Sequence, residues 1–238
     1  MSAGGRPSSL APAAGGYYAA AAGLSGPALK TVLHSIISRQ ASSVSYGQVW
    51  DALRNTDEDP GDPARVIELY TGRSVAKNRA GAGAGDWNRE HVWAKSHGSF
   101  GTTTGPGTDL HHLRAEDVTV NSIRGNKDFD DGGSPVTGAP GNYTDSDSFE
   151  LRDAVKGDVA RMILYMAVRY DGFADLEPND SVGNGPAPAI GRISVLKKWN
   201  AQDPPDAFEQ RRNEVIYKDY QHNRNPFVVH PEWVNAIW

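Results

Sequence analysis

The stretch NREHVW at residues 88–93, followed after a loop by DLHHLRAEDVTVNSIRGNKDF at 109–129, decides how this sequence is read. Residues 86–129 hold four of the chain's seven histidines, several Asn and Asp, and only short apolar runs, which sets them apart from the rest. Glu90 and His91 are neighbours. On a regular strand they would point to opposite faces, but at a strand end or a bulge both can reach one site. A carboxylate and the amide oxygen of Asn121 are hard ligands, suited to Mg²⁺ or Ca²⁺ that keep several waters, not to a tetrahedral zinc cage. A neutral imidazole beside such an ion need not bind it. It can take a proton from a water attacking a phosphate, and its ordinary pKa of about 6.5 would then give turnover an acidic limb. Arg124, three residues after Asn121, would share its helix face and could meet a phosphate. Each residue also has an ordinary reading: Glu-His pairs are common, and an Asn in a helix usually caps it or faces solvent. His111 and His112 are adjacent, so at most one faces any given site, and a structural or supporting role is expected for the pair.

Outward from this centre, residues 1–26 are rich in Ala, Gly, Ser and Pro and read as a flexible leader, without the basic start and apolar run of a signal peptide. Pro27 suits the first turn of a helix that carries Leu29, Val32, Leu33, Ile36 and Ile37 on one stripe, with His34 as a structural residue. Ser45 with Gln48 three residues on is a capping-box pattern opening a helix through Val49, Trp50 and Leu53. Residues 66–76 look extended with a break at Gly72, before a Gly/Ala-rich loop at 80–85. Residues 128–150 carry six acidic residues and no Lys or Arg, and read as a solvated loop. A long helix is expected over 156–171, burying Val159, Met162, Ile163 and Met166, with further helices near 190–201 and 206–219 around Pro204-Pro205. No repeat or linker divides the chain. The reading is a single α+β domain over 27–238, helix-rich at both ends with a short, polar, β-containing centre.

Composition bounds the function. The 238 residues are 38% hydrophobic, enough for a substantial core, and contain no apolar run approaching the ~18 residues of a spanning helix, so an integral membrane protein is excluded. The absence of cysteine removes disulfides, thiolate metal sites and cysteine nucleophiles. A net charge of −5 argues against general avidity for polyanions. The 128–150 segment supplies −6 of it, so the remainder carries +1 and a local basic groove is possible. Alternatively, the acidic segment binds a structural Ca²⁺.

The two central segments resemble the signature of the endonuclease I family of bacterial periplasmic and secreted nucleases, part of the ββα-metal (His-Me finger) nucleases. GDVARMILYM at 157–166 is similar to that family's core helix, and RNEVI through NRNPFVV at 212–229 resembles its C-terminal block. The resemblance covers roughly residues 86–230. It implies a central ββα-metal motif among supporting helices, with His91 as general base and with Glu90 and Asn121 as metal ligands. It also implies a metal-dependent, largely sequence-non-specific endonuclease acting on DNA, with RNA as a second substrate, and leaving 5′-phosphate ends. Mg²⁺ is the expected cofactor, with Mn²⁺ or Ca²⁺ as substitutes. A secreted or periplasmic monomer with no membrane association is expected. Two departures stand out: Ala94 and Ala115 replace common prolines, and residues 92–108 lack the Arg that some members use to hold the scissile phosphate. That leaves Lys95 or Arg124 for the task. Competing readings are a metal-dependent phosphodiesterase for small substrates and an inactive nucleic-acid-binding module; the intact Glu90, His91 and Asn121 stand against the latter.

Overall fold

Two helices prepare the ground for the central hairpin. The computed structural model describes residues 14–238, in which short helix α1 (Ala14–Tyr17) and a 3-10 turn precede α2 (Gly26–Ser38) and α3 (Val49–Thr56). Pro27 sits in the first turn of α2, where its missing N–H costs nothing, and Leu29, Leu33 and Ile37 form the buried stripe. His34 Nδ1 donates to the Val168 carbonyl at 2.8 Å, the structural role expected of it. The capping box before α3 is complete: Ser45 N donates to Gln48 Oε1 at 2.8 Å and Gln48 N to Ser45 Oγ at 3.3 Å. The flexible leader expected over 1–26 needs correction in its described part. Tyr18 and Ala21 are buried, and Tyr18 donates its hydroxyl to the Arg224 carbonyl while its ring packs edge-on against Trp233. Residues 1–13 lie outside the described residues.

Strands β1 (Glu58–Asp59), β2 (Asp62–Ile67) and β3 (Ser74–Ala76) form an antiparallel meander, broken as expected near Gly72, whose φ of +67° suits glycine. β4 (Trp87–His91) then pairs antiparallel with β5 (Leu113–Asp117), from Trp87 opposite Asp117 to His91 opposite Leu113. Helix α4 (Val118–Arg124) starts directly at the end of β5, because the Asp117 carboxylate accepts from the N–H groups of Thr119 and Val120 and caps it. Strand, strand and helix therefore form one continuous unit.

The segment read as a solvated loop is a small sheet. β6 (Asp128–Phe129), β7 (Ser134–Pro135), β8 (Tyr143–Thr144) and β9 (Ser148–Glu150) lie in the order β6-β9-β8-β7. Phe129 and Phe149, opposite each other in the ladder, are buried together with Val136 and Ala139. Its carboxylates are mostly spoken for. Asp130 pairs with Arg192 at 3.0 Å, Asp131 with Lys198 at 2.5 Å and Glu150 with Lys156 at 2.8 Å. Asp128 accepts from the backbone of Asn184 and Gly191. No group of three or more His, Asp or Glu able to hold a metal occurs among the described residues, so the alternative of a Ca²⁺ site in this segment gains no support.

Helix α5 (Lys156–Arg169) is the spine of the molecule, buried along its length apart from Arg169. It packs against α2 and, beyond a parallel bridge of β10 (Glu177–Pro178) and β11 (Ala189–Ile190), against α6 (Ile193–Gln202). α7 (Ala207–Val215) continues into a π-helical turn, and α8 (Pro226–Val229) and α9 (Trp233–Ile237) close the chain. The larger core gathers Leu33, Trp93, Phe129, Ile163, Trp199 and Phe227 around α5; a smaller one gathers Val49, Leu53, Val66, Trp87 and Leu113 beside the hairpin. The central hairpin is thus held between two apolar layers. Among the described residues no helix is long and apolar enough to cross a membrane. The fold is α+β, as expected.

Candidate active site

His91 is the last residue of β4, and this strand-end position lets it line the same cleft as Glu90. The cleft, about 310 Å³, is also lined by Asn121 from α4, by Lys95 from the loop after β4, and by Tyr46, Asn88, Arg89 and Asn126. A larger surface cleft of about 530 Å³ between Asp131, Glu150, Asp153, Lys156 and Lys198 shares no residue with it, and its charges pair with one another.

The tautomer of His91 follows from its partner. Nε2 lies 3.0 Å from the Gly107 carbonyl, which can only accept, so Nε2 carries the proton and Nδ1 keeps its lone pair. Burial, reinforced by the neighbouring His112, lowers the His91 pKa to about 3, so the ring is neutral near pH 7. His112 works one layer back. Its Nε2 donates to the Pro106 carbonyl at 2.7 Å and its Nδ1 accepts from Trp93 N at 3.3 Å, so it steadies the turn that presents Gly107. His111 turns elsewhere, to Asn223 and the ring of Tyr165. The two histidines diverge into supporting roles, as their spacing implied.

Glu90 accepts at Oε1 from Tyr70 Oη (2.6 Å) and from Arg124 Nη1 (3.0 Å). Burial raises its pKa, against the opposing pull of Arg124 and Tyr70. Arg124 is where structure and sequence part. It has no solvent exposure, and besides Glu90 it donates to the carbonyls of His91 (2.9 Å) and Val92 (2.7 Å), with its guanidinium 4.7 Å over the Phe129 ring. A phosphate cannot reach it. The expected phosphate contact is corrected to that of a brace beneath β4. Lys95 is exposed in the cleft and carries no salt bridge among the described residues, so its assignment as a phosphate cation remains open to it.

Asn121 donates through Nδ2 to Asn88 Oδ1 at 2.7 Å, which leaves its own Oδ1 for another partner. Asn88 escaped the sequence reading, although it lies two residues before Glu90 and so on the same strand face. Tyr70 and Gly107 escaped too, and nothing local signals them. The donor set suits a hard divalent cation: one carboxylate and one amide oxygen, no thiolate, beside a neutral imidazole whose Nε2 is held by the Gly107 carbonyl. With two protein ligands, most of the coordination shell would be water or substrate oxygen, as Mg²⁺ prefers.

The class follows from comparison with known families. The endonuclease I family matches residues 25–232, and the chain belongs to it. It is 65% identical over 225 residues to an extracellular ribonuclease of Bacillus amyloliquefaciens and 62% identical over 225 residues to one of Bacillus subtilis (strain 168). Each of these alignments covers 93% of this chain and 78% of the relative. The protein is a nuclease, an enzyme that hydrolyses phosphodiester bonds.

Proposed function

We propose that the chain is a secreted, divalent-cation-dependent endonuclease of the His-Me finger type, largely indifferent to sequence, that cuts both DNA and RNA to 5′-phosphate and 3′-hydroxyl ends. The observation that carries this reading is the His91 Nε2 to Gly107 contact, because it leaves a neutral imidazole with a free Nδ1 in a cleft shared with two hard oxygen donors. His91 Nδ1 takes a proton from a water that attacks phosphorus in line with the P–O3′ bond. The water oxygen bonds to phosphorus, the P–O3′ bond breaks, and the phosphate stays on the 5′ side while O3′ gains a proton from solvent. A divalent cation held by Glu90 and Asn121 would neutralise charge on the phosphoryl oxygens and the departing O3′. Lys95 adds a mobile positive charge at the rim. Phosphate contacts carry no base information, which accounts for the expected lack of sequence preference.

Because water rather than the ribose 2′-hydroxyl attacks, DNA and RNA should be equivalent chemically. The two Bacillus relatives, named extracellular ribonucleases, support both RNA cleavage and secretion. The test is digestion of plasmid DNA and of a structured RNA with Mg²⁺, Mn²⁺ or EDTA, followed by end analysis. Both should be cut with metal, neither in chelator, and both should yield 5′-phosphates. Full activity in EDTA, or 2′,3′-cyclic phosphates from RNA, would overturn the mechanism. An intact plasmid alongside hydrolysis of small diesters would favour the small-substrate reading.

A further inference from the structure

We propose that Arg89, clamped between aromatic faces, is the cation that grips a backbone phosphate of the bound nucleic acid. This rests on the reading above, that the Glu90–His91 cleft receives a polynucleotide. Arg89 lies on β4 directly before Glu90 and lines that cleft. Its guanidinium carbon stands 3.6 Å from the ring centroid of Tyr46 and 4.2 Å from that of Trp50, and Nη1 donates to the Tyr46 carbonyl at 2.6 Å. It forms no salt bridge with any carboxylate among the described residues. By contrast, Arg54, Arg73, Arg79, Arg114 and Arg124 each have one.

Aromatic faces and one carbonyl hold a guanidinium in place without neutralising it. The Nε and Nη2 hydrogens make no hydrogen bond among the described residues, so one edge of the planar fork stays available for an anion. That edge matches two phosphate oxygens, a geometry the single ammonium of Lys95 does not offer. The placement fits the chemistry as well. The Tyr46 ring lies 5.8 Å from the His91 imidazole and tilts only 30° from it, so the clamp adjoins the base. Trp50 is fixed in turn by edge-on contact with Trp87, the first residue of β4. With Arg124 consumed beneath the strand and no Arg in 92–108, Arg89 supplies the fork that this cleft otherwise lacks.

The full chain is tested in a His91→Ala background, so that binding is read without cleavage. Affinity for a fluorescent duplex oligonucleotide is measured with Mg²⁺ across a salt series for Arg89, Arg89→Lys and Arg89→Gln. Loss of a charge-assisted fork should weaken binding by roughly tenfold or more. It should also make the slope of log affinity against log salt shallower by about 0.9, the value for one phosphate. Arg89→Lys should keep the slope and recover only part of the affinity. Single methylphosphonates placed along a duplex just long enough to fill the cleft, so that only one register is available, should abolish the Arg89→Gln effect at one position, where the contacted phosphate has become neutral. An unchanged salt slope, with no position coupled to Arg89, would overturn the proposal, even if the variant melts earlier. If Arg89→Gln does not fold, the methylphosphonate scan is read on Arg89→Lys. A parent that still cleaves without His91 would refute the assignment of the base and leave the Arg89 measurement interpretable through the initial cleavage rate at low substrate.

Discussion

Arg124 Nη1 lies 3.0 Å from Glu90 Oε1, and the same nitrogen also donates to the carbonyl of His91 at 2.9 Å. One buried guanidinium thus fixes both the carboxylate and the backbone of the base that follows it. The cation that the sequence offered to substrate is used instead to hold the site together.

Removing that brace should cost stability before it costs chemistry. Arg124→Met leaves the buried Glu90 carboxylate without its cationic partner, with only the Tyr70 hydroxyl still donating to it, and two carbonyls without that donor, a loss of roughly 3–5 kcal/mol. Thermal and denaturant unfolding would register it, and Arg124→Lys should fall between, since one ammonium cannot reproduce three donations. An unchanged unfolding midpoint with normal Mg²⁺ dependence would show that the brace carries no weight.

Asn88 should set the affinity for the cation without touching it. Its Oδ1 holds Asn121 Nδ2 at 2.7 Å, so Asn88→Ala frees the Asn121 amide to rotate. Half-maximal activity should then need about 10- to 100-fold more Mg²⁺, the usual consequence of losing a group that orients a ligand. Circular dichroism should remain that of the parent. An identical Mg²⁺ titration would remove Asn88 from this role.

The acidic limb of the rate should belong to Glu90, not His91. Burial takes His91 down to about 3, well below its ordinary value, whereas burial raises Glu90. As pH falls, the proton therefore competes with the cation for Glu90 while His91 is still neutral. Raising Mg²⁺ tenfold should move the limb of kcat/KM to lower pH, by up to about one unit before saturation. A limb that ignores Mg²⁺ would restore His91 as the titrating group.

Stability should carry the mark of the buried histidines. Burial lowers His91 to about 3 and both His111 and His112 to about 4, so the folded chain refuses protons that the unfolded chain binds. Their contribution is complete above about pH 6.5 and drains as pH falls from there towards about 4, at roughly 1.4 kcal/mol per pH unit for each histidine. Glu209, whose carboxyl burial pushes up against the pull of its partner Arg161, acts in the opposite sense as pH rises. The difference between parent and His112→Gln isolates one histidine. Between about pH 6.5 and 4.5 the variant's unfolding free energy should fall less steeply, by about one proton's worth, and equal slopes would contradict the burial argument.

What the sequence determined by itself is what short-range chemistry can specify. The Ser45–Gln48 cap, the apolar stripe of α2 and the apolar face of α5 all depend on neighbours a few residues apart, whereas the strand-strand-helix unit of β4, β5 and α4 is expected only from the resemblance. Glu90, His91 and Asn121 are singled out by their ordered match to the family signature, and the strand end and α4 bring them to one cleft. What only the tertiary structure decided is which polar groups face inward and what they meet. Spacing placed Arg124 on a face of α4, but packing turned that face beneath the hairpin. Tyr70 meets Glu90 across 20 residues, Gly107 meets His91 across 16, and Asn88 meets Asn121 across 33. Tyr18 reaches Arg224 across 206. The acidic stretch 128–150 reads as solvent-facing by charge, yet strand pairing buries its Phe129 and Phe149, and partners elsewhere, including Lys156, Arg192 and Lys198, neutralise its acids. A polar side chain scores the same in water and in a satisfied buried network. The choice between them is made by partners that only chain closure brings near.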